Sequence, residues 1–177
     1  FADLIAYAGI APGKTVLELG PGTGQNTEPI LNTGCSYNAI ELGENLYGMM
    51  KRKYGHYPNF SIVNDDFLTH DFGSQKFDMI YSAATIQWMP EDIAFPKTFA
   101  LLKPGGTLAM MFMRSDYKTP NEELYARIQE AYSRYFKPEI QYKHGAFQYS
   151  NAPNYGYVDF ERREYPGKRE FTAEEYV

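Results

Sequence analysis

Short runs of apolar and β-branched residues alternate with amphipathic segments between residues 14 and 113. Such runs are typical of strands that are buried on both faces of a parallel sheet. We predict strands at residues 15–19, 37–42, 60–63, 77–82 and 107–113, and helices at residues 23–32, 44–54 and 92–102. Because strands that alternate with helices form βαβ units, the predicted fold is α/β with a doubly wound, mostly parallel sheet.

The pattern changes after residue 114. Residues 121–136 have the spacing of an amphipathic helix, and a stretch rich in tyrosine continues to about residue 156. We predict one more strand at residues 158–165. The chain opens without methionine and closes just after Thr172-Ala-Glu-Glu, which is typical of the start of a helix, so we expect the sequence to be truncated at both ends.

Composition narrows the choice of function. The chain has 177 residues, a formal net charge of −5 and a pI near 5.2, which argues against a general attraction to nucleic acid or to an anionic membrane. Cys35 is the only cysteine, so an internal disulfide is excluded and a cytoplasmic location is predicted. The sequence contains no apolar run of about 18 residues, which is the length needed to span a bilayer. We therefore predict neither nucleic acid nor membrane as a partner, and leave the oligomeric state open.

The most informative motif is a glycine-rich turn between the first strand and the following helix. Gly20, Gly22 and Gly24 let the backbone approach a ligand closely, at the edge where open α/β sheets bind ligands. The dinucleotide fingerprint requires a third glycine where the chain has Gln25. Glu18, just before the turn, would repel a pyrophosphate and attract a ligand that carries positive charge. These residues disfavour a nicotinamide dinucleotide and suit a ligand that carries positive charge near the turn.

An acidic residue before a G-x-G-x-G turn resembles the class I S-adenosylmethionine-dependent methyltransferases. The resemblance extends over residues 14–113, which it identifies as a cofactor-binding core within a single domain of residues 1–177. It implies that S-adenosylmethionine lies against Gly20, Gly22 and Gly24, with Glu18 toward its methionine end and Glu41 accepting its ribose hydroxyls. The segment after the third strand resembles the family's adenine-binding segment. There Asp66 with Phe67 is favoured as the adenine contact, and Asp65 is the alternative.

The segment that follows the fourth strand resembles the family's reacting centre. It starts at Ser82, where small side chains leave space for the sulfonium methyl group, and its Gln87-Trp88 pair resembles the trans-aconitate methyltransferase branch. The resemblance makes Gln87 and Trp88 candidates on the substrate side, with Trp88 as an ordinary core aromatic the alternative. Arg114 is a third candidate because it follows the fifth strand at the ligand edge of the sheet. The tyrosine-rich residues 114–157 form a hypothetical lid, and the alternative is that these tyrosines only pack the outer helix. Arg114 either clamps an acidic substrate or pairs with Asp116. The Asn-Pro-Pro-Tyr type of sequence used by methylases of base amino groups is absent after the fourth strand.

The predicted function is methyl transfer from S-adenosylmethionine to a small molecule, with a carboxylic acid suggested by the Gln-Trp branch. Two alternatives stay open: an NAD(P)-dependent Rossmann oxidoreductase, and a non-catalytic module that binds an adenosyl group. No spacing of histidine, cysteine and aspartate suggests a metal site. The sequence does not decide whether a general base takes part, because a base is needed only if the acceptor keeps a proton at neutral pH.

Overall fold

The computed structural model describes residues 1–114, 121–135, 147–167 and 172. The strands are β1 (Thr15–Leu19), β2 (Ser36–Glu41), β3 (Phe60–Asn64), β4 (Phe77–Ala83) and β5 (Leu102–Met111). The α-helices are α1 (Ala2–Tyr7), α2 (Thr27–Leu31), α3 (Glu44–Tyr54), α4 (Glu91–Leu101) and α5 (Glu122–Tyr135). Two 3₁₀ segments, Ile86–Trp88 and Tyr149–Tyr155, complete the described elements.

The five strands form one sheet in the order β3-β2-β1-β4-β5, and every neighbouring pair is parallel. The predicted α/β fold with a doubly wound parallel sheet is therefore confirmed. The chain first adds β2 and β3 on one side of β1 and then adds β4 and β5 on the other side. The point where the order of strands switches therefore lies between β1 and β4. In such sheets the ligand site lies at this switch point, beyond the carboxyl ends of the strands.

Each face of the sheet has its own apolar core, because side chains alternate between the faces along a strand. Leu17 and Leu19 of β1 join one core with Phe95 of α4. Val16 joins the other core, where Met50 of α3 is also buried. The central strand β1 is thus covered on both sides, which explains why its residues read as a nearly continuous apolar run.

The structure moves two of the predicted element starts by four residues or more. Helix α2 begins at Thr27 rather than at residue 23, because Gly22 and Gly24 have φ angles of +59° and +77°, which a right-handed helix does not allow. Strand β5 begins at Leu102 rather than at residue 107. Residues 103–106 lie inside this strand as an irregularity, where the pairing with β4 shifts register.

The predicted strand at residues 158–165 was wrong. These residues are described and none of them is in a strand, and Val158 is 81% exposed. An apolar or β-branched residue favours a strand only where a neighbouring strand pairs with it, and no strand among the described residues pairs with this segment. The helix predicted at residues 121–136 is confirmed as α5, which has no buried residue. Within the described part of the chain, no helix is long and apolar enough to cross a membrane.

Candidate functional site

The glycine turn after β1 is connected to both neighbouring strand ends. The Gly20 N–H donates to the Ile40 carbonyl oxygen of β2 (2.9 Å). On the other side, the Thr85 hydroxyl after β4 donates to the Gly20 carbonyl oxygen (3.1 Å). The turn therefore lies at the switch point, between the loops that follow β2 and β4.

The three glycines of the turn do not have the same environment. A side chain at Gly20 would overlap the Thr85 side chain, and a Cβ at Gly24 would lie 2.6 Å from the Met50 sulfur of α3. At Gly22 a Cβ would meet nothing within 4 Å, although its φ of +59° also favours glycine. Gly20 and Gly24 are thus required by packing within the protein, whereas Gly22 borders open space in which a ligand can contact the backbone.

Glu41, the last residue of β2, connects the turn to the start of α3. Its Oε2 accepts from the Gly22 N–H (3.0 Å), and its Oε1 accepts from the Gly43 N–H (2.9 Å). The residue is 6% exposed. A carboxylate can accept about four hydrogen bonds, so both oxygens retain capacity for further donors such as vicinal hydroxyls.

Glu18 lies beneath the turn rather than at its open side. Its Oε2 accepts from the Thr27 hydroxyl of α2 (2.8 Å) and from the Tyr37 hydroxyl, and the Tyr37 oxygen lies 2.7 Å from that of Tyr81. Burial raises the pKa of Glu18, and the negative charge of Glu41 raises it further. These two acids make the underside of the turn electronegative, which suits a cation; direct contact of Glu18 with a cofactor stays a prediction.

The tyrosines of this cluster were missed by the sequence analysis. Tyr81 is the register partner of Glu18 in β4, and Tyr37 pairs with Val16, the residue two positions before Glu18 in β1. Burial raises the pKa of both phenols, so their hydroxyls stay protonated and can donate to the carboxylate. Only the strand register reveals this cluster, because its members lie far apart in the sequence.

The segment predicted to bind adenine carries two carboxylates that already have protein partners. Asp66 Oδ1 accepts from the Leu68 N–H (2.9 Å). Asp65 Oδ2 lies 2.7 Å from His70 Nδ1, and this hydrogen bond lowers the pKa of Asp65. Phe67 is buried in the core, at 3% exposure. The roles of these three residues toward adenine remain predictions, and the geometry shows at least a local structural role for each.

The predicted reacting-centre residues lie at the carboxyl end of β4. Ser82 is fully buried and its Oγ accepts from the Ile86 N–H (2.9 Å), so it stabilises the first 3₁₀ segment. Gln87 in that segment is half-buried, and its Oε1 accepts from the Tyr149 hydroxyl (3.3 Å). Trp88 is 57% exposed. The roles predicted for Ser82, Gln87 and Trp88 are compatible with this position and remain untested.

Arg114 is exposed, shortly after β5 ends. Its predicted alternative partner, Asp116, lies outside the described residues, as do residues 115–120 and 136–146 of the hypothetical lid. Among the described residues, no group of three or more histidine, cysteine, aspartate or glutamate side chains could hold a metal ion.

The described part of the tyrosine-rich region is attached to α4. Glu91, which the sequence analysis missed, accepts from the Gln148 N–H (2.9 Å) and from the Asn151 amide (2.8 Å). The hydrogen bond from Gln148 is the main reason why the pKa of Glu91 is lowered. Phe147 and Tyr155 lie against the Phe95 ring, with centroid distances of 4.9 and 5.0 Å. These aromatic residues therefore pack against α4, and the lid expected for residues 114–157 stays a prediction.

A family profile described as a methyltransferase domain matches residues 16–106, just over half of the chain. The chain belongs to the methyltransferase-domain family. Its similarity to the small-subunit ribosomal RNA methyltransferase A of Hahella chejuensis is 29% identity over 147 residues, 79% of this chain and 54% of that protein. With the sterol 24-C-methyltransferase of Saccharomyces cerevisiae it is 33% identical over 129 residues, 67% of this chain and 33% of that protein.

The structure of this methyltransferase domain is similar to that of the CcbJ methyltransferase from Streptomyces caelestis. The TM-score is 0.54 at 28% identity, over 62% of this chain and 46% of that chain. The chain thus spans between a third and about half of the length of the curated relatives named here. The matched residues 16–106 include the glycine turn, Glu41 and Gln87, so the candidate site belongs to the shared methyltransferase domain.

The exclusion of nucleic acid as a partner was wrong. Several curated relatives are small-subunit ribosomal RNA methyltransferases, including one from Pseudomonas savastanoi that is 34% identical over 92 residues. Net charge is a sum over the chain and does not exclude a local basic surface: residues 51–53 form the basic last turn of α3. The overall charge of −5 therefore gives no ground for excluding RNA.

We expect Glu18→Gln to raise the thermal stability of the methyltransferase domain more at high pH than at low pH. Because the folded-state pKa of Glu18 is raised, its contribution to stability is present below the unfolded-state pKa and is lost as the pH rises through the folded-state pKa. Glutamine stays neutral throughout. Calorimetry should show Tm raised by roughly 2–4 °C at about pH 8 and by less at about pH 5.

Glu28→Gln is the matched control, since Glu28 is exposed in the same helix as Thr27. It should change Tm equally at both pH values. A gain from Glu18→Gln that does not depend on pH would contradict the burial of a charged carboxylate beneath the turn.

Proposed function

We propose that this protein binds S-adenosylmethionine at the glycine turn and transfers its methyl group to a small carboxylic acid. The observation that carries the proposal is Gly22: its backbone borders open space at the switch point while its N–H is held by the buried Glu41. The match of residues 16–106 to a methyltransferase domain supports the same cofactor.

The residues present fit this cofactor in shape and in charge. A ligand that approaches Gly22 meets backbone rather than a side chain, and the oxygens of Glu41 have capacity for the two ribose hydroxyls. The carboxyl groups of Glu18 and Glu41 favour a positively charged ligand over a pyrophosphate. This charge pattern supports S-adenosylmethionine over NAD(P), the cofactor of the oxidoreductase alternative.

The residues near the predicted reacting centre favour an acceptor that needs no deprotonation. When bound, S-adenosylmethionine supplies a methyl group on positively charged sulfur. Transfer to a carboxylate forms one C–O bond and breaks one C–S bond, whose electron pair stays on sulfur, and no proton moves. Gln87 is not a base at neutral pH, so its position after β4 suits such an acceptor. The resemblance of Gln87-Trp88 to the trans-aconitate methyltransferase branch supports the same choice.

Ribosomal RNA is a second candidate acceptor, which the relatives from Hahella chejuensis and Pseudomonas savastanoi favour. A small acid is preferred because the sequence after β4 differs from the Asn-Pro-Pro-Tyr type used on base amino groups. We also propose that residues 14–113 form the cofactor-binding core of one domain, and that residues 114–157 cover the acceptor side.

The test is a transfer assay with methyl-labelled S-adenosylmethionine, in which small carboxylic acids and small-subunit ribosomal RNA are offered in parallel. We expect label in base-labile methyl esters of an acid. Label in RNA would show that the acceptor is RNA instead of a small acid, while methyl transfer from S-adenosylmethionine would still hold. Calorimetric binding of S-adenosylmethionine without transfer to either class would favour the non-catalytic module, and binding of NAD alone would overturn the proposal.

A further inference from the structure

A small aromatic surface lies beside the proposed reacting centre, at the carboxyl ends of β4 and β5. Phe112 follows β5 directly and is 58% exposed. Its ring centroid lies 6.2 Å from that of Tyr149, which in turn lies 5.4 Å from that of Phe147. Phe112 is exposed and Tyr149 is half-buried, whereas Phe147 is buried, so the first two rings are suited to hold the flat apolar part of a small molecule.

Tyr149 also contacts the polar residue of this surface. Its hydroxyl donates to Oε1 of Gln87 at 3.3 Å, and burial raises the pKa of this phenol, so the hydroxyl stays protonated. This hydrogen bond occupies one lone pair of Oε1 and fixes which end of the amide faces Tyr149, so the Nε2 group, which can only donate, is the part of the amide that offers donors to a ligand. Among the described residues, Nε2 has no hydrogen-bond partner.

The segment that carries Tyr149 is held in place by contacts with α4. Glu91 accepts hydrogen bonds from the backbone of Gln148 and from the side chain of Asn151, the residues on either side of this region. Phe147 is buried against Phe95. The segment of Tyr149 is therefore attached to α4 and can define the orientation of the Gln87 amide.

From this geometry we propose that Tyr149 orients Gln87 so that Nε2 donates a hydrogen bond to a carboxylate oxygen of the acceptor, while Phe112 and the Tyr149 ring contact a flat, unsaturated carbon skeleton. The inference rests on the proposed function, because it assigns the acceptor side of the same site. In this inference Tyr149 is a positioning residue, and Gln87 is a residue that selects acceptors with a carboxylate oxygen able to accept a hydrogen bond.

The binding test uses the fluorescence of Trp88, the only tryptophan of the chain, which directly follows Gln87. Benzoate is the probe, and benzylamine has the same ring with a cation in place of the carboxylate. The protein is first saturated with S-adenosylhomocysteine, whose binding is measured separately by calorimetry. We expect benzoate to change the Trp88 emission saturably and to bind more tightly than benzylamine.

Two variants test the roles of the residues. Tyr149→Phe keeps the ring and removes the hydroxyl, and should weaken benzoate binding about tenfold. Gln87→Glu replaces the donor by a carboxylate, which repels benzoate, and should reverse the preference toward benzylamine. Neither variant should change the affinity for S-adenosylhomocysteine. A merely structural role for Gln87 would not reverse the selectivity between the two probes.

Tyr157→Phe is the matched control. It makes the same chemical change at a hydroxyl that lies 2.7 Å from Thr98 of α4, away from Gln87, and should leave benzoate affinity unaltered. Absence of saturable benzoate binding, equal benzoate affinity in Tyr149→Phe and wild type, or tighter binding of benzylamine by the wild type would each overturn the inference. Failure of S-adenosylhomocysteine to bind would instead overturn the proposed function.

Discussion

Gly22→Val is expected to abolish S-adenosylmethionine binding while the protein remains folded. A valine side chain at this position would project into the open space beside the turn, because nothing beyond Gly22 and its two chain neighbours lies within 4 Å of the Cβ position. It would occupy the volume of the proposed ligand instead of clashing with the protein. Calorimetry should show affinity reduced by at least about a hundredfold, which corresponds to about 2.8 kcal/mol.

The positive φ of Gly22 adds a conformational cost that must be separated from the loss of binding. Gly73 is the matched control, because its φ is +56° and a Cβ there also meets nothing within 4 Å, but it lies in the loop before β4 begins. Valine costs roughly 1–2 kcal/mol in either left-handed conformation. Gly22→Val and Gly73→Val should therefore lower Tm similarly, and only Gly22→Val should lose binding. Wild-type affinity in Gly22→Val would remove the turn from the cofactor site.

Glu41→Ala is expected to weaken S-adenosylmethionine binding by roughly ten- to a hundredfold, as the loss of hydrogen bonds to a charged group predicts. The variant removes the acceptor proposed for the ribose hydroxyls. It also removes the partner of the Gly22 and Gly43 N–H groups, so the turn loses its connection to α3. Calorimetry with S-adenosylmethionine measures the combined effect.

One further ligand and one further variant separate these contributions. Adenine lacks the ribose, so its binding should respond to Glu41→Ala only through the changed turn and hence less than that of the nucleoside. Glu28→Ala removes the same charge from an exposed site on α2 and should leave the affinity unchanged. Equal affinity of wild type and Glu41→Ala for S-adenosylmethionine would rule out the ribose contact.

The position of the candidate site was predictable, but several contacts within it were not. The glycine turn, Glu41 and Gln87 follow strand ends in the sequence, and the carboxyl ends of parallel strands meet at one edge of the sheet. Glu18 also follows this logic, yet its contacts with Thr27 and Tyr37 depend on the register of β1 and on the start of α2. A motif places a residue near an edge and does not decide which way its carboxylate is directed.

The role of Glu91 could not be predicted for a similar reason. Its sequence context, in the first turn of a helix, is typical of an acid that interacts with a helix N-terminus. In the structure this carboxylate binds a segment that lies 57 residues further along the chain. The contact between Tyr149 and Gln87 spans 62 residues and is equally invisible to local patterns.

The sequence by itself determined the α/β architecture, because strands buried on both faces must be apolar throughout and therefore stand out as runs that alternate with helices. It also determined the glycine turn, since positive φ angles at Gly20, Gly22 and Gly24 favour residues without a side chain. Only the tertiary structure decided which glycine borders open space, which acid lies beneath the turn and whether residues 158–165 form a strand. Each of these depends on what lies across the fold from a residue, and a linear pattern carries no information about that neighbour.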